Sequence, residues 1–208
     1  MITSIINYIP NPQRERTCLN TFSKGKRIYR QGDIAEGFYL LKSGSVKLQK
    51  MLPNGESTII QIVTEGQIFG QKGFHQSKNA HHTHFAVALE ENTTIEKISC
   101  ISSLPEQWVD QILNHLAELA AINIARYERV ITMEAEARIC FYMKELAQRM
   151  GKRYGDETLL KVNLTHQEWA LYTDTSRQTV TQTLSKLKRE GLITYSRNRI
   201  LFRNLETF

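Results

Sequence analysis

Two helix-start signals stand ten residues apart near the C-terminal end of this chain, Thr165-His-Gln-Glu168 and Thr175-Ser-Arg-Gln178. In each, a hydroxyl can accept from a backbone amide one turn on, while the side chain three residues later reaches back to the first residue's N–H. Starts so closely spaced leave room for one short helix and a tight turn, which predicts a helix-turn-helix. The second helix would carry Val180, Leu184 and Leu187 at i, i+4 and i+7 for a core, leaving Arg177, Gln178, Thr181, Gln182 and Ser185 on its open face. Ala170 is small where the two helices should cross.

That open face has the chemistry of a base reader. Arg matches guanine O6/N7, Gln matches adenine N6/N7, and a recognition helix meets base edges with its first turn, where Ser176, Arg177 and Gln178 lie. Thr181 and Gln182 extend the reading surface by one turn. Beyond it, Leu192 to Phe202 reads as a hairpin with Arg197 and Arg199 at its tip, and with Lys186 and Lys188 these suit phosphates, not bases. Residues 135–208 hold thirteen Lys/Arg against eight Asp/Glu, so five of the chain's six net positive charges lie there. The C-terminal third is the part that faces a polyanion.

Upstream, Leu113, Ala117, Ala120, Ile124, Tyr127 and Ile131 alternate in steps of four and three, the seam of a heptad helix. A second stripe, Ile112, Leu116, Leu119, Val130 and Met133, runs beside it, so the helix has two faces to bury. Periodicity does not decide which stripe meets a partner. The residues expected in a dimer seam, Leu113, Leu116, Ala120, Ile124, Tyr127 and Ile131, draw on both. A further helix is expected from Ala137 to Arg149.

From Phe22 to about Ile98, short apolar runs are broken by turn signals at Gly32-Asp33, Ser43-Gly44, Asn54-Gly55 and Gly66, the rhythm of an antiparallel barrel or sandwich. Phe38 to Gln49 reads as one hairpin; Pro53-Asn54-Gly55-Glu56 marks another, followed by a strand from Thr58 to Val63. Cys18, Cys100 and Cys140 are far apart with no Cys-x-x-Cys pair, so they are expected to be buried reduced thiols, not a disulfide framework or zinc site. No apolar run approaches the roughly 18 to 20 residues a bilayer span needs, and the first residues lack a basic region before an apolar core; no membrane partner and a cytoplasmic location are expected.

Over nearly its whole length the chain resembles the Crp/Fnr family of transcription regulators. The carrying residues are Phe22-Ser-Lys-Gly-Lys with Gln31-Gly-Asp33, Tyr39-Leu-Leu-Lys-Ser-Gly-Ser-Val46, Gly66-Gln-Ile-Phe-Gly70, and Leu164-Thr-His-Gln-Glu168 through Ser176-Arg-Gln-Thr-Val180. The resemblance implies an α+β chain: a cyclic-nucleotide-binding-type antiparallel β-barrel of the double-stranded β-helix or jelly-roll kind over residues 1–104, a long dimerisation helix over 105–134, and a winged helix-turn-helix over 135–208. It implies a homodimer binding a palindromic site on duplex DNA, with RNA polymerase as a further partner. It places an effector pocket at Gly70, Gln71, Thr83, His84 and Asn123.

Departures from the family pattern shape the expectation further. Where cyclic-AMP-responsive members carry Gly-Glu and Arg-Ser, this chain has Gly70-Gln71 and about Thr83-His84. Without the arginine the cyclic phosphate loses its bidentate partner, so cyclic AMP is not the expected effector. Cys18 alone near the N-terminus does not make the thiolate set of an iron-sulfur cluster. The usual Arg-Glu-x-x-x-Arg appears as Arg177-Gln-Thr-Val-Thr-Gln182, and Gln178 would shift base preference from cytosine to adenine. Asp174 stands at about the usual turn glycine, a residue type that tolerates the left-handed conformation better than most.

Two rival readings follow from the same residues. His82-x-His84 on a strand would aim two imidazoles at one face, as in metal-binding cupin barrels, with His75, His81 and Glu90 as the remaining donors to consider; their spacing does not complete a ligand set, and no metal is expected. The other rival keeps the fold and empties the barrel, giving a regulator controlled by its own abundance. Nothing has the pattern of a nucleophile with its base, a phosphate-gripping glycine loop or paired carboxylates, so no enzymatic activity is expected.

Overall fold

The computed structural model describes residues 17–70, 80–98 and 106–208. The chain divides into two compact units, one ending at Asn123 and the other spanning Ile124–Phe208.

The described strands of the first unit are β1 (Thr17–Phe22), β2 (Arg27–Tyr29), β3 (Phe38–Ser43), β4 (Ser45–Met51), β5 (Ser57–Thr64), β6 (Ile68–Phe69), β7 (Phe85–Ala88) and β8 (Thr93–Ile98). They form two antiparallel sheets, β1-β8-β3-β6 and β2-β7-β4-β5. The expected barrel is realised as two open, jelly-roll-like sheets, not a closed one. Tyr39, Leu41, Phe69 and Ile95 from the first sheet and Tyr29, Val46, Leu48, Val63 and Ala86 from the second meet in one core.

The expected hairpin from Phe38 to Gln49 is corrected by this topology. β3 pairs with β8 and β6, while β4 pairs with β5 and β7. One residue, Gly44 at φ +88°, separates them and turns the chain from one sheet into the other. An added Cβ there would lie 2.8 Å from Thr93 Oγ1, so close approach as well as positive φ calls for glycine. The second expected hairpin stands, β4 with β5 around Asn54-Gly55. Cys18 is exposed, contrary to expectation, because β1 is an edge strand with β8 as its partner; Cys140 is half-buried, and Cys100 lies outside the described residues.

Helix α1 runs unbroken over Glu106–Thr132. It is followed by α2 (Ala135–Met150), β9 (Lys152–Tyr154), β10 (Glu157–Lys161), α3 (His166–Thr173), α4 (Arg177–Arg189), β11 (Ile193–Ser196) and β12 (Arg199–Phe202). The second unit's sheet has the order β11-β12-β10-β9. Its core is made by Ile139, Met143 and Leu146 on α2, Trp169 on α3, Val180, Leu184 and Leu187 on α4, and Phe202 on β12, all buried. Among the described residues no helix is long and apolar enough to cross a membrane.

Candidate nucleic-acid interface

Thr165 caps α3 through the reciprocal arrangement its sequence implies: its Oγ1 accepts from Glu168 N, and its own N–H donates to Glu168 Oε2 at 2.8 Å. The second cap lies one residue later than expected. Ser176, not Thr175, sits at the helix start and accepts from Thr179 N at 3.0 Å, and Gln178 takes no part. The Thr175 hydroxyl pairs instead with Thr173 Oγ1. Both residues can cap, and the left-handed Asp174 that ends α3 decides which one reaches the N-cap geometry.

α4 presents the face its periodicity implies. Val180, Thr183, Leu184 and Leu187 are buried, whereas Ser176, Arg177, Gln178, Thr181, Gln182 and Ser185 are exposed. Thr181 is held from two sides, donating to Arg177 O and bonded to His166 Nδ1 of α3 at 2.9 Å. The β11–β12 turn carries Arg197 and Arg199 into solvent, with Asn198 between them at φ +64°. Lys188 is exposed, its ammonium 5.5 Å from the Tyr195 ring centroid. Lys186 is engaged: its Nζ donates to Glu136 Oε1 of α2 at 2.5 Å. Together with Thr179, Gln182 and Arg189 this pair lines a groove of about 450 Å³ along α4.

The turn between α3 and α4 is gripped by two arginines that sequence reading did not single out. Arg138, only 7% exposed, donates to the carbonyls of Thr173 (2.9 Å), Asp174 (2.8 Å) and Met133 (2.7 Å). These carbonyls close α3 and follow α1, ends where unsatisfied acceptors and the helix dipole favour a cation. Arg126 of α1 donates to both oxygens of the Asp174 carboxylate, at 2.9 to 3.0 Å. Asp174 is left-handed at φ +53°, in the place where sequence reading expected a glycine substitute. An acidic residue in that tight turn was a signal that a cation partner should be sought.

Along α1 the first stripe is the uncovered one. Leu113, Ile124, Tyr127 and Ile131 are each 57 to 69% exposed and Ala117 and Ala120 are exposed with them, whereas Leu116, Leu119 and Met133 are half-buried. Leu116 therefore groups with the second stripe, of which Val130 is exposed and the Ile112 side chain lies outside those described.

In the first unit, Gly70 (φ +77°) packs so closely on Tyr39 that a Cβ would meet its ring at 2.7 Å. Tyr39 belongs to a cluster with Tyr29, Phe69 and His82, in which the Tyr29 and His82 rings stack at 3.7 Å. Tyr29 Oη and His84 Nε2 share a 2.8 Å hydrogen bond, so Gly70 and His84 flank one aromatic cluster. Thr83 is exposed and bonded to His84 Nδ1, Asn123 is exposed on α1, and Gln71 lies outside the described residues. Burial lowers the affinity of both imidazoles for a proton, His84 to about 4.

Of the four described donors considered for a metal, three are engaged elsewhere, whereas both ring nitrogens of His82 are buried with no hydrogen-bond partner among the described residues. His82 and His84 do point inward together, just before β7, but His84 is bonded to Tyr29, His81 Nδ1 to Gly32 O, and the Glu90 carboxylate accepts from Ser45 at 2.5 Å. His75 lies outside the described residues, and among those described no cluster of three metal-binding side chains forms.

The cyclic nucleotide-binding domain family matches residues 19–99, and the Crp-like helix-turn-helix domain family matches residues 137–208. The chain is 28% identical to the transcriptional regulator LdrP of Thermus thermophilus, over 90% of this chain and 93% of that one. It is 27% identical to the global nitrogen regulator of Synechococcus elongatus, over 88% and 84% respectively. Among solved structures, a transcriptional regulator of the CRP family from Thermus thermophilus superposes with a TM-score of 0.76 at 25% identity, covering 90% of this chain and 93% of that one.

Proposed function

We propose that this chain, which belongs to the Crp/Fnr family of DNA-binding transcription regulators, acts in the cytoplasm as a homodimer that reads a palindromic promoter site with α4. The observation that carries this reading is the capped, amphipathic α4. Its first turn offers Arg177 and Gln178 to solvent while Val180, Leu184 and Leu187 anchor it.

In this reading Arg177 forks onto guanine O6/N7, Gln178 and Gln182 select the neighbouring bases, and Ser176 and Thr181 support them. Arg197, Arg199 and Lys188 take phosphates, and Lys186 joins them once it leaves Glu136. The seam Leu113, Ala117, Ala120, Ile124, Tyr127 and Ile131 pairs two α1 helices, its exposure being the argument for a partner of the same kind. Residues 1–104 then serve as the regulatory domain, 105–134 as the dimerisation helix and 135–208 as the DNA-binding domain, with RNA polymerase engaged at the promoter.

Gly70, Gln71, Thr83, His84 and Asn123 would face an effector other than cyclic AMP. A second reading has one observation in its favour: the Tyr29, Tyr39, Phe69 and His82 rings already fill the interior beside Gly70. In that second reading the regulator is controlled by its own abundance.

The test is stoichiometry on DNA. Light scattering of the purified chain with duplex promoter DNA should give two chains per duplex. Ile124→Glu with Tyr127→Glu should give a folded monomer with far weaker specific binding. One chain per duplex in the wild type would reject the dimer.

A further inference from the structure

We propose that the Arg126–Asp174 pair is a positioning device that sets the half-site spacing the protein accepts on DNA. The inference rests on the dimeric DNA-binding reading and deepens it.

Arg126 lies on α1 between two seam residues, Ile124 and Tyr127. Asp174 ends α3 and stands two residues before the N-cap of α4, Ser176. A guanidinium forked onto a carboxylate constrains both distance and angle, which a single contact does not. The fork here has both of its ends partly withdrawn from water, the side chains being 15% and 30% exposed. Arg138 binds the backbone of the same turn to the residue that follows α1, so the start of α4 is tied to α1 through side chain and main chain at once.

In a dimer paired along α1, the distance between the two recognition helices is then the sum of one seam and two such clamps. Half-sites lie about 34 Å apart, and one inserted base pair moves a half-site by about 3.4 Å and rotates it around the duplex. A clamped dimer rejects that displacement; a loosened one follows it. Both arginine and aspartate act through α4 and touch no base.

The experiment uses the full-length protein and its own selected palindrome, rebuilt with one base pair removed, one added and two added at the centre, beside a duplex holding a single half-site. Asp174→Asn is the first variant, because asparagine also tolerates the left-handed turn and removes the charge; Arg126→Gln and Arg126→Lys accompany it. Wild type should lose affinity at least about tenfold for each single-base-pair change, and Asp174→Asn and Arg126→Gln no more than about threefold, with single half-site affinity unchanged. Arg126→Lys, with one contact in place of two, should fall between. The proposal is overturned if the variants discriminate spacing as sharply as wild type, or if spacing and single half-site binding weaken together, the mark of a merely structural role. A wild type that selects no palindrome would instead remove the reading on which the inference stands.

Discussion

Lys186 on α4 donates to Glu136 on α2 at 2.5 Å, an ion pair between residues fifty apart in sequence at the edge of the face proposed to meet DNA. The hydrogen bond to Glu136, and then its charge, holds the Lys186 ammonium above its ordinary range. Phosphate must compete with that carboxylate for the lysine. Glu136→Gln should therefore strengthen binding to any duplex and steepen the dependence of log K on log salt by about one unit. Fluorescence anisotropy on random duplex across a salt series reads both quantities. An unchanged slope would show that Lys186 stays off the backbone.

Base and phosphate contacts separate by their selectivity. Arg177→Ala should cost about 1 to 3 kcal/mol on the specific site and relax preference at one base pair, while Arg199→Ala should weaken all sequences alike and flatten the salt slope. Competition titrations with single-base-pair variants of the site distinguish the two. Equal loss on specific and random DNA for Arg177→Ala would contradict its role.

The caps give a prediction about stability. Thr165→Ala removes half of a reciprocal cap and Ser176→Ala the hydroxyl that receives Thr179 N, and each should cost about 1 kcal/mol. Thr175→Ala, which removes only a hydroxyl contact to Thr173, should cost less. Urea midpoints of the full-length variants give the order, and a Thr175 effect exceeding that of Ser176 would put the N-cap back where the sequence alone suggested it.

Burial, then the neighbouring His82 and Lys50, pushes the His84 imidazole down from 6.5 to about 4. The unfolded chain thus takes up a proton near pH 6.5 that the folded chain refuses until about pH 4. His84's contribution to stability is intact above that range and is lost as pH falls through it, in total on the order of 3 kcal/mol. His82, lowered in the same direction, adds to the slope. Denaturant midpoints from pH 7 to 4 should fall more steeply for wild type than for His84→Gln; parallel curves would contradict the assignment.

What could be read in advance follows the range of the interaction. The α3 capping box is complete within four residues, and the buried face of α4 is a matter of helical period, so both were legible. The second cap falls one residue from its expected position because Thr175 and Ser176 are equivalent acceptors until Asp174 fixes the backbone. The passage from β3 to β4 reads as a hairpin because the local signal, a glycine between two apolar runs, is the same for a strand pair and for a strand that changes sheets; the partners that decide it, β8 and β5, are non-local. The same limit hid Arg126, Arg138 and Glu136, whose partners lie 35 to 50 residues away. In α1 both stripes are visible in the sequence, and exposure separates them at every described position but Val130.

The most direct measurement is selection of binding sites from random duplex DNA by the purified, ligand-free protein. The expected outcome is a palindromic motif whose half-sites are one helical turn apart, with a guanine in each half that Arg177→Ala no longer enriches. Recovery of no motif, with or without cell extract, or of a single unrepeated half-site, would contradict it.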